Sequence, residues 1–258
     1  MLAQTEIILL ATAFFLVALL YSSVGFGGGS SYLALLALVF ANFFMIRSSA
    51  LLCNLVVVSG SSFLYFQRGH LQFKKFVPFL ITSIPLAFVG ALFKLKEHFF
   101  FILLGISLLF AAFALVLQTL KLKGEYQPSS YSKYLSYLLG GAVGFLSGMV
   151  GIGGGIFLAP ILNHMKWDKP LVIAALASFF ILVNSISGIL GLLFADTFIV
   201  PTPDIWFLIV AVFLGGQLGA RLSLGKLSGK TIRLLTALLV LVVGIRVLLK
   251  NGFQLTIF

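Results

Sequence analysis

Two near copies of one short motif offer a chemistry that needs no ionisable side chain. "VGFGGG" occupies residues 24–29 and "VGIGGG" occupies 150–155, each inside a long apolar run. A glycine inside a helix costs about 1 kcal/mol relative to alanine, so clusters of them imply a break, where glycine's freedom is useful. A helix starting at such a break leaves its first N–H groups without intrahelical acceptors, at the positive end of the helix dipole. Such ends bind anions. The donors would be the amides of Gly27, Gly28, Gly29 and Ser30 at the first knot and of Gly153, Gly154, Gly155 and Ile156 at the second, with Gly25 and Gly151 opening the two turns. Hydroxyls of Ser22, Ser23, Ser30 and Ser31 lie beside the first knot, and that of Ser147 beside the second. Asn54, Ser178, Asn184, Ser185 and Gln217 add polar side chains inside other apolar runs, and Arg221 follows the last of these. For each of these side chains, bonding a neighbouring helix is an equally good role.

Other chemistries lack their residues. Cys53 is the only cysteine, which excludes an intramolecular disulfide and leaves no basis for a cysteine zinc cluster. His70, His98 and His164 fall in loops or at span ends without metal-ligand spacing. With no Asp, Glu or His inside an apolar run, neither a nucleophile–base pair nor a metal triad is in view, so no catalysis and no cofactor are expected.

The elements that must position these residues follow from composition. Of 258 residues 61% are hydrophobic and 9% charged, and the mean hydropathy is +1.19. That excludes an ordinary soluble domain and implies an all-α integral membrane protein embedded in a lipid bilayer. The windows 48–67, 76–93, 99–120, 134–165, 170–195 and 205–220 contain no Asp, Glu, Lys or Arg, and 7–46 forms one longer charge-free run. A span needs about 20 residues. The net charge of +11 sits singly or in pairs between these runs, as topology anchors rather than as a nucleic-acid surface. "ATA" at 11–13 has the form of a leader cleavage site, but no basic segment precedes it, so the N-terminal run reads as mature protein.

Landmarks recur at a nearly constant offset: Gly25 with Gly151, "SG" at 59–60 with 187–188, and "GA" at 90–91 with 219–220. This reads as two repeats, 1–124 and 125–258, joined through the polar stretch "KLKGEYQPSSYSK" at 121–133. The 67–75 loop carries Arg68, Lys74 and Lys75, whereas its counterpart at 195–204 carries only Asp196 and Asp204. Cytoplasmic loops are the basic ones, so equivalent loops face opposite sides and the repeats are inverted. Inversion requires that each glycine-bearing segment, 7–41 and 134–163, return to its own side as a broken-helix hairpin. Three spans follow each hairpin: about 48–66, 76–93 and 99–120, then about 170–195, 204–221 and 232–249. Irregular backbone at that depth must be buried in protein or line a wet cavity.

"GMVGIGGGIFLAPIL" at 148–162, the weaker "VGFGGGSSYLALLAL" at 24–38, "ALASFF" at 175–180 and "GGQLGARL" at 215–222 together resemble the TauE/SafE family of sulfite-exporter-like permeases. In the first half Ser30 and Ser31 replace the usual apolar pair, and no proline matches Pro160. The resemblance implies a multi-pass protein of the bacterial inner membrane that moves sulfite or a related organosulfur anion. The loop charges place its N-terminus outside the cytoplasm. Residues and resemblance together give an expected mechanism: alternating access, one repeat rocking against the other around a neutral, dipole-lined anion site. Without a buried carboxylate relay the membrane potential is the simplest driving force, and an inside-negative potential expels anions. A passive anion channel built on the same helix ends is the alternative.

Overall fold

The computed structural model describes residues 3–23, 25–40, 42–121, 131–223 and 229–249. Most of the expected joint at 121–133, and residues 224–228 between the expected spans 204–221 and 232–249, lie outside the described residues. The first half of the chain folds as α1 (Gln4–Ser22), α2 (Gly29–Val39), α3 (Phe43–Gln67), α4 (Phe73–Leu92) and α5 (Glu97–Lys121). The second half follows as α6 (Lys133–Val150), α7 (Gly155–His164), α8 (Pro170–Phe194), α9 (Asp204–Ser223) and α10 (Gly229–Val247). Six of these, α1, α3, α4, α5, α8 and α9, are long and apolar enough to cross a membrane, while α2 and α7 are short apolar helices. The chain is a multi-pass, all-helical membrane protein.

Local signals account for the boundaries. The Asn42 side chain accepts from the amides of Phe44 and Met45, an N-cap that starts α3 five residues before the span expected at 48. The earlier start draws Arg47 into the helix. Pro170 stands in the first turn of α8, where its missing N–H costs nothing. Left-handed Gly28 (φ 91°) and Gly154 (φ 83°) are the N-caps of α2 and α7, so each short helix begins inside its knot.

Packing is governed by small residues. On α6 Gly140, Gly144 and Gly148, each four residues from the next, lie against the backbone of Phe79, Ser83 and Ala87 on α4, so close that a Cβ would strike it. Gly215 and Gly219 of α9 press likewise on the carbonyls of Phe15 and Leu19 of α1. In a membrane, where burial of apolar surface supplies no net drive, such close backbone approach is what holds helices together.

Helix contacts recur with a shift of five. Pairs α4·α6, α4·α8 and α6·α8 form one triplet, and α9·α1, α9·α3 and α1·α3 form its counterpart. The triplets meet along α3·α8, where Ser62 and Ser178 hydroxyls are 3.2 Å apart and Gly188 packs on Leu51. Each triplet draws helices from both halves of the chain. A repeat rocking as a unit would have to break the α4·α6 and α1·α9 interfaces, so the expected motion of one repeat against the other does not suit this packing.

Candidate functional site

Both knots meet at one side chain. Asn54 is fully buried eleven residues into α3, and its Nδ2 donates to the carbonyl of Ile152, inside the second knot, at 2.9 Å. Gly27 and Gly29 of the first knot press on the same amide, and a Cβ at Gly27 would lie 2.5 Å from Oδ1. A Cβ on Gly153 would lie 3.2 Å from Nδ2 and 3.3 Å from the Ser185 hydroxyl. Glycine is required at these positions because α2 and α7 bring their N-termini to within contact of Asn54.

The backbone supplies the donors. The first amides that bond back to the caps are those of Ser31 and Tyr32, to Gly28, and of Phe157 and Leu158, to Gly154. Among the described residues the amides of Gly27, Gly28, Gly29, Ser30, Gly153, Gly154, Gly155 and Ile156 find no acceptor. Two helix N-termini, each equivalent to about half a positive charge, therefore converge on one neutral amide. Asn54 Oδ1 and Ser185 Oγ are buried without partners in the same cluster; the Ser147 hydroxyl is also buried without a partner, and Cβ of Ser147 packs beside Gly154. Buried polar groups are normally satisfied, and the convergence of unsatisfied ones makes this cluster the candidate site. Backbone N–H groups are the donors such an arrangement could offer a small anion, whereas the unpartnered Asn54 Oδ1 is an acceptor. Among the described residues no group of three or more His, Cys, Asp or Glu side chains could hold a metal ion.

Several of the residues that the sequence put forward stand elsewhere, engaged in packing. Ser22 Oγ lies 2.8 Å from both the Ser61 hydroxyl and the Gly216 carbonyl, tying α1 to α3 and α9. Ser23 Oγ donates to the Leu20 carbonyl at 2.6 Å. The hydroxyls of Ser30 and Ser31 both bond Tyr21, at 3.3 and 2.8 Å, so Ser30 offers the site only its amide. Ser178 pairs with Ser62, and the Gln217 amide packs on Gly60 between α9 and α3. Asn184 is buried on α8 beside Ser185 with neither amide atom bonded. Arg221 is exposed near the end of α9. Gly25 and Gly151 are turn residues with φ of 85° and 83°, packed on Ala174 and on Arg47 respectively.

One residue overturns the expectation of a span region free of buried charge. Arg47 is fully buried, with Nη2 donating to the carbonyls of Gly148 (2.6 Å) and Ala91 (3.3 Å) and Nη1 to that of Phe93 (3.5 Å). These carbonyls end α6 and α4, the negative poles of two helices. Asn42, a strong N-cap type directly before an apolar stretch, was the available signal that α3 begins early enough to include Arg47.

Residues 10–247 match the family described as "Sulfite exporter TauE/SafE". The chain is 31% identical over 247 residues to "Probable membrane transporter protein y4hK" of Sinorhizobium fredii, covering 95% of this chain and 99% of that one. It is 26% identical over 221 residues to "Probable membrane transporter protein YunE" of Bacillus subtilis, covering 76% of this chain and 77% of that one. No solved structure matches. A multi-pass helical chain whose two glycine-broken segments converge, and which matches this family over nearly all its length, belongs to the TauE/SafE sulfite exporter family: it is a membrane transporter and not an enzyme.

Proposed function

We propose that the protein exports a small sulfur-containing anion, sulfite or a related organosulfur anion, by alternating access, with the anion held near mid-membrane between the N-termini of α2 and α7. The observation that carries this reading is the convergence on Asn54 of two sets of amides that find no acceptor among the described residues, where no acidic side chain among the described residues contacts it. Asn54 has eleven residues of α3 before it and thirteen after, about 17 and 20 Å at the rise of a helix, which suits a site near the bilayer centre. The described residues of both knots are buried, as a carrier's occluded site would be and an open pore would not.

The arrangement suits inverted repeats in the inner membrane with a non-cytoplasmic N-terminus. Lys75, at the end of the basic 67–75 segment, pairs with Asp168 at 2.5 Å between α7 and α8, and Tyr131 bonds the Met165 carbonyl, so these segments share one side, which we take as cytoplasmic. The amide of Ile199, in the acidic 195–204 loop, bonds Ser48 near the start of α3, on the opposite side. Alternating access then moves the triplet α1, α3, α9 against the triplet α4, α6, α8 along the α3·α8 seam. An inside-negative potential favours outward movement of a single negative charge by about 2.3 kcal/mol per 100 mV.

Proteoliposomes loaded with labelled sulfite and clamped by potassium gradients test this. Saturable efflux that accelerates as the interior is made more negative is expected. Unsaturable flux with single-channel conductance would indicate a pore, and a saturable rate indifferent to potential would indicate coupling to a second ion.

A further inference from the structure

A buried arginine without a carboxylate raises the question of what balances it. Among the described residues Arg47 bonds only backbone carbonyls, and its Nε is buried with no partner there. The carbonyl ends of α4 and α6 offset part of the charge. Among the described residues no Asp or Glu lies within hydrogen-bond reach of Arg47, and Lys75 with Asp168 is an ion pair at the other end of α4. A buried guanidinium with an unmet donor is costly, and structural capping of two helices leaves that donor unexplained.

Its placement relates it to the anion site. Arg47 and Asn54 are seven residues apart on α3, hence on one face and about 10 Å apart along the axis. Both touch the second knot: a Cβ on Gly151 would lie 2.8 Å from Arg47 Cγ, and one on Gly153 would lie 3.2 Å from Asn54 Nδ2. At the corresponding point of the first knot Gly25 packs on Ala174, which carries no charge. The positive charge therefore stands on one side of Asn54 only, the side of Phe93 and of the start of α3, in the seam between the two triplets. We infer that Arg47 is the charge-selecting residue of this permeation path, favouring doubly over singly charged anions at the neighbouring site. This rests on the anion-transport reading above. A full charge about 10 Å away, at an effective dielectric of about 20, alters apparent affinity by roughly tenfold or somewhat more per unit of substrate charge.

The test is competition against labelled sulfite in proteoliposomes by sulfoacetate, with two charges, and by sulfoacetamide, its singly charged isostere. Wild-type protein should prefer sulfoacetate by roughly tenfold. Arg47→Lys should keep most of that preference, and Arg47→Gln should reduce it to about one, whatever the maximal rate of either variant. If Arg47 only caps α4 and α6, both variants lose rate or yield while the preference stays put, and the inference is overturned. Equal inhibition by the two competitors in the wild-type protein overturns it without recourse to any variant. Either result leaves sulfite transport itself standing, whereas a wild-type protein that carries no sulfite removes the functional proposal and this inference together.

Discussion

Asn54→Asp places a fixed anion where the substrate is proposed to bind. The two side chains are nearly the same size, so the helix ends need not move, but every electrostatic consequence changes sign. A carboxylate about 4 Å from a bound anion, at an effective dielectric of about 20, opposes it by about 4 kcal/mol, close to a thousandfold in affinity. The acceptor-free amides of the two knots would instead solvate the carboxylate, which becomes a tethered occupant. Asn54→Leu separates charge from hydrogen bonding: it removes the bond to the Ile152 carbonyl, about 1 kcal/mol and several-fold in affinity, without adding charge. Purified Asn54→Asp protein should show no thermal shift at sulfite concentrations that shift the wild type, and no uptake in proteoliposomes. Asn54→Leu should bind at least about a hundredfold better than Asn54→Asp. If Asn54→Asp binds sulfite within tenfold of the wild type, the anion does not sit between the knots. If the two variants are equally impaired, shape rather than charge defines the site.

Gly28→Val and Gly154→Val force a branched side chain into left-handed backbone, at about 1–2 kcal/mol, and bring Cβ to 2.8 Å from the rings of Tyr32 and Phe180; uptake should fall below about a tenth of wild type while the amount of protein in the membrane fraction is kept. Ser22→Ala removes two hydrogen bonds that join α1 to α3 and α9, so thermal denaturation should report a loss of about 1–2 kcal/mol with the apparent affinity for sulfite unchanged. In whole cells, a membrane-impermeant thiol reagent should label Ile199→Cys and spare Gln67→Cys on a Cys53→Ala background; labelling of both from one side would end the inverted topology. Native Cys53, fully buried in α3, should resist the same reagent until the protein is denatured.

Hydropathy and punctuation made much of the helical architecture legible. Charge-free windows located α8, read as 170–195 and observed at Pro170–Phe194, and the glycines located the breaks before α2 and α7. The candidate site was half legible. Backbone donors follow from where a helix starts, so the knots could name them. Side-chain roles depend on rotation about the helix axis and on partners distant in the chain, which no local pattern encodes. Nothing near Ser22 announces Gly216, its partner across 194 positions, nor does Ser178 point to Ser62. Arg47 was missed for a different reason. It lies one residue beyond the charge-free run 7–46 and one before the window 48–67, so reading spans as gaps between charges defined it out of the membrane. An N-cap argument from Asn42 would have kept it in.

The packing also constrains what can move. Glycine-mediated backbone contact along three successive turns of α6 against α4, and at two points of α9 against α1, gives closely fitted interfaces, and these resist sliding. Along α3·α8 the contacts are of another kind, among them a serine pair and a leucine against Gly188, and beside them Asn54 of α3 reaches the Ile152 carbonyl of the second knot. The two hydrogen-bonded contacts can be broken and remade with water at little net cost. Under the proposed mechanism a rocking motion would therefore open along α3·α8, with Asn54 on its line, and each opening would present the same donors to a different side. Arg47 makes the two openings unequal, because separating the triplets on its side must part its guanidinium from the carbonyls of Ala91, Phe93 and Gly148. On the other side the Gly25–Ala174 contact is van der Waals only, and the Ser62–Ser178 hydroxyl pair is the hydrogen bond to be lost. An anion arriving from the site offers the departing guanidinium a replacement partner, so under the proposed mechanism the outer opening is favoured when the carrier is loaded and disfavoured when it is empty.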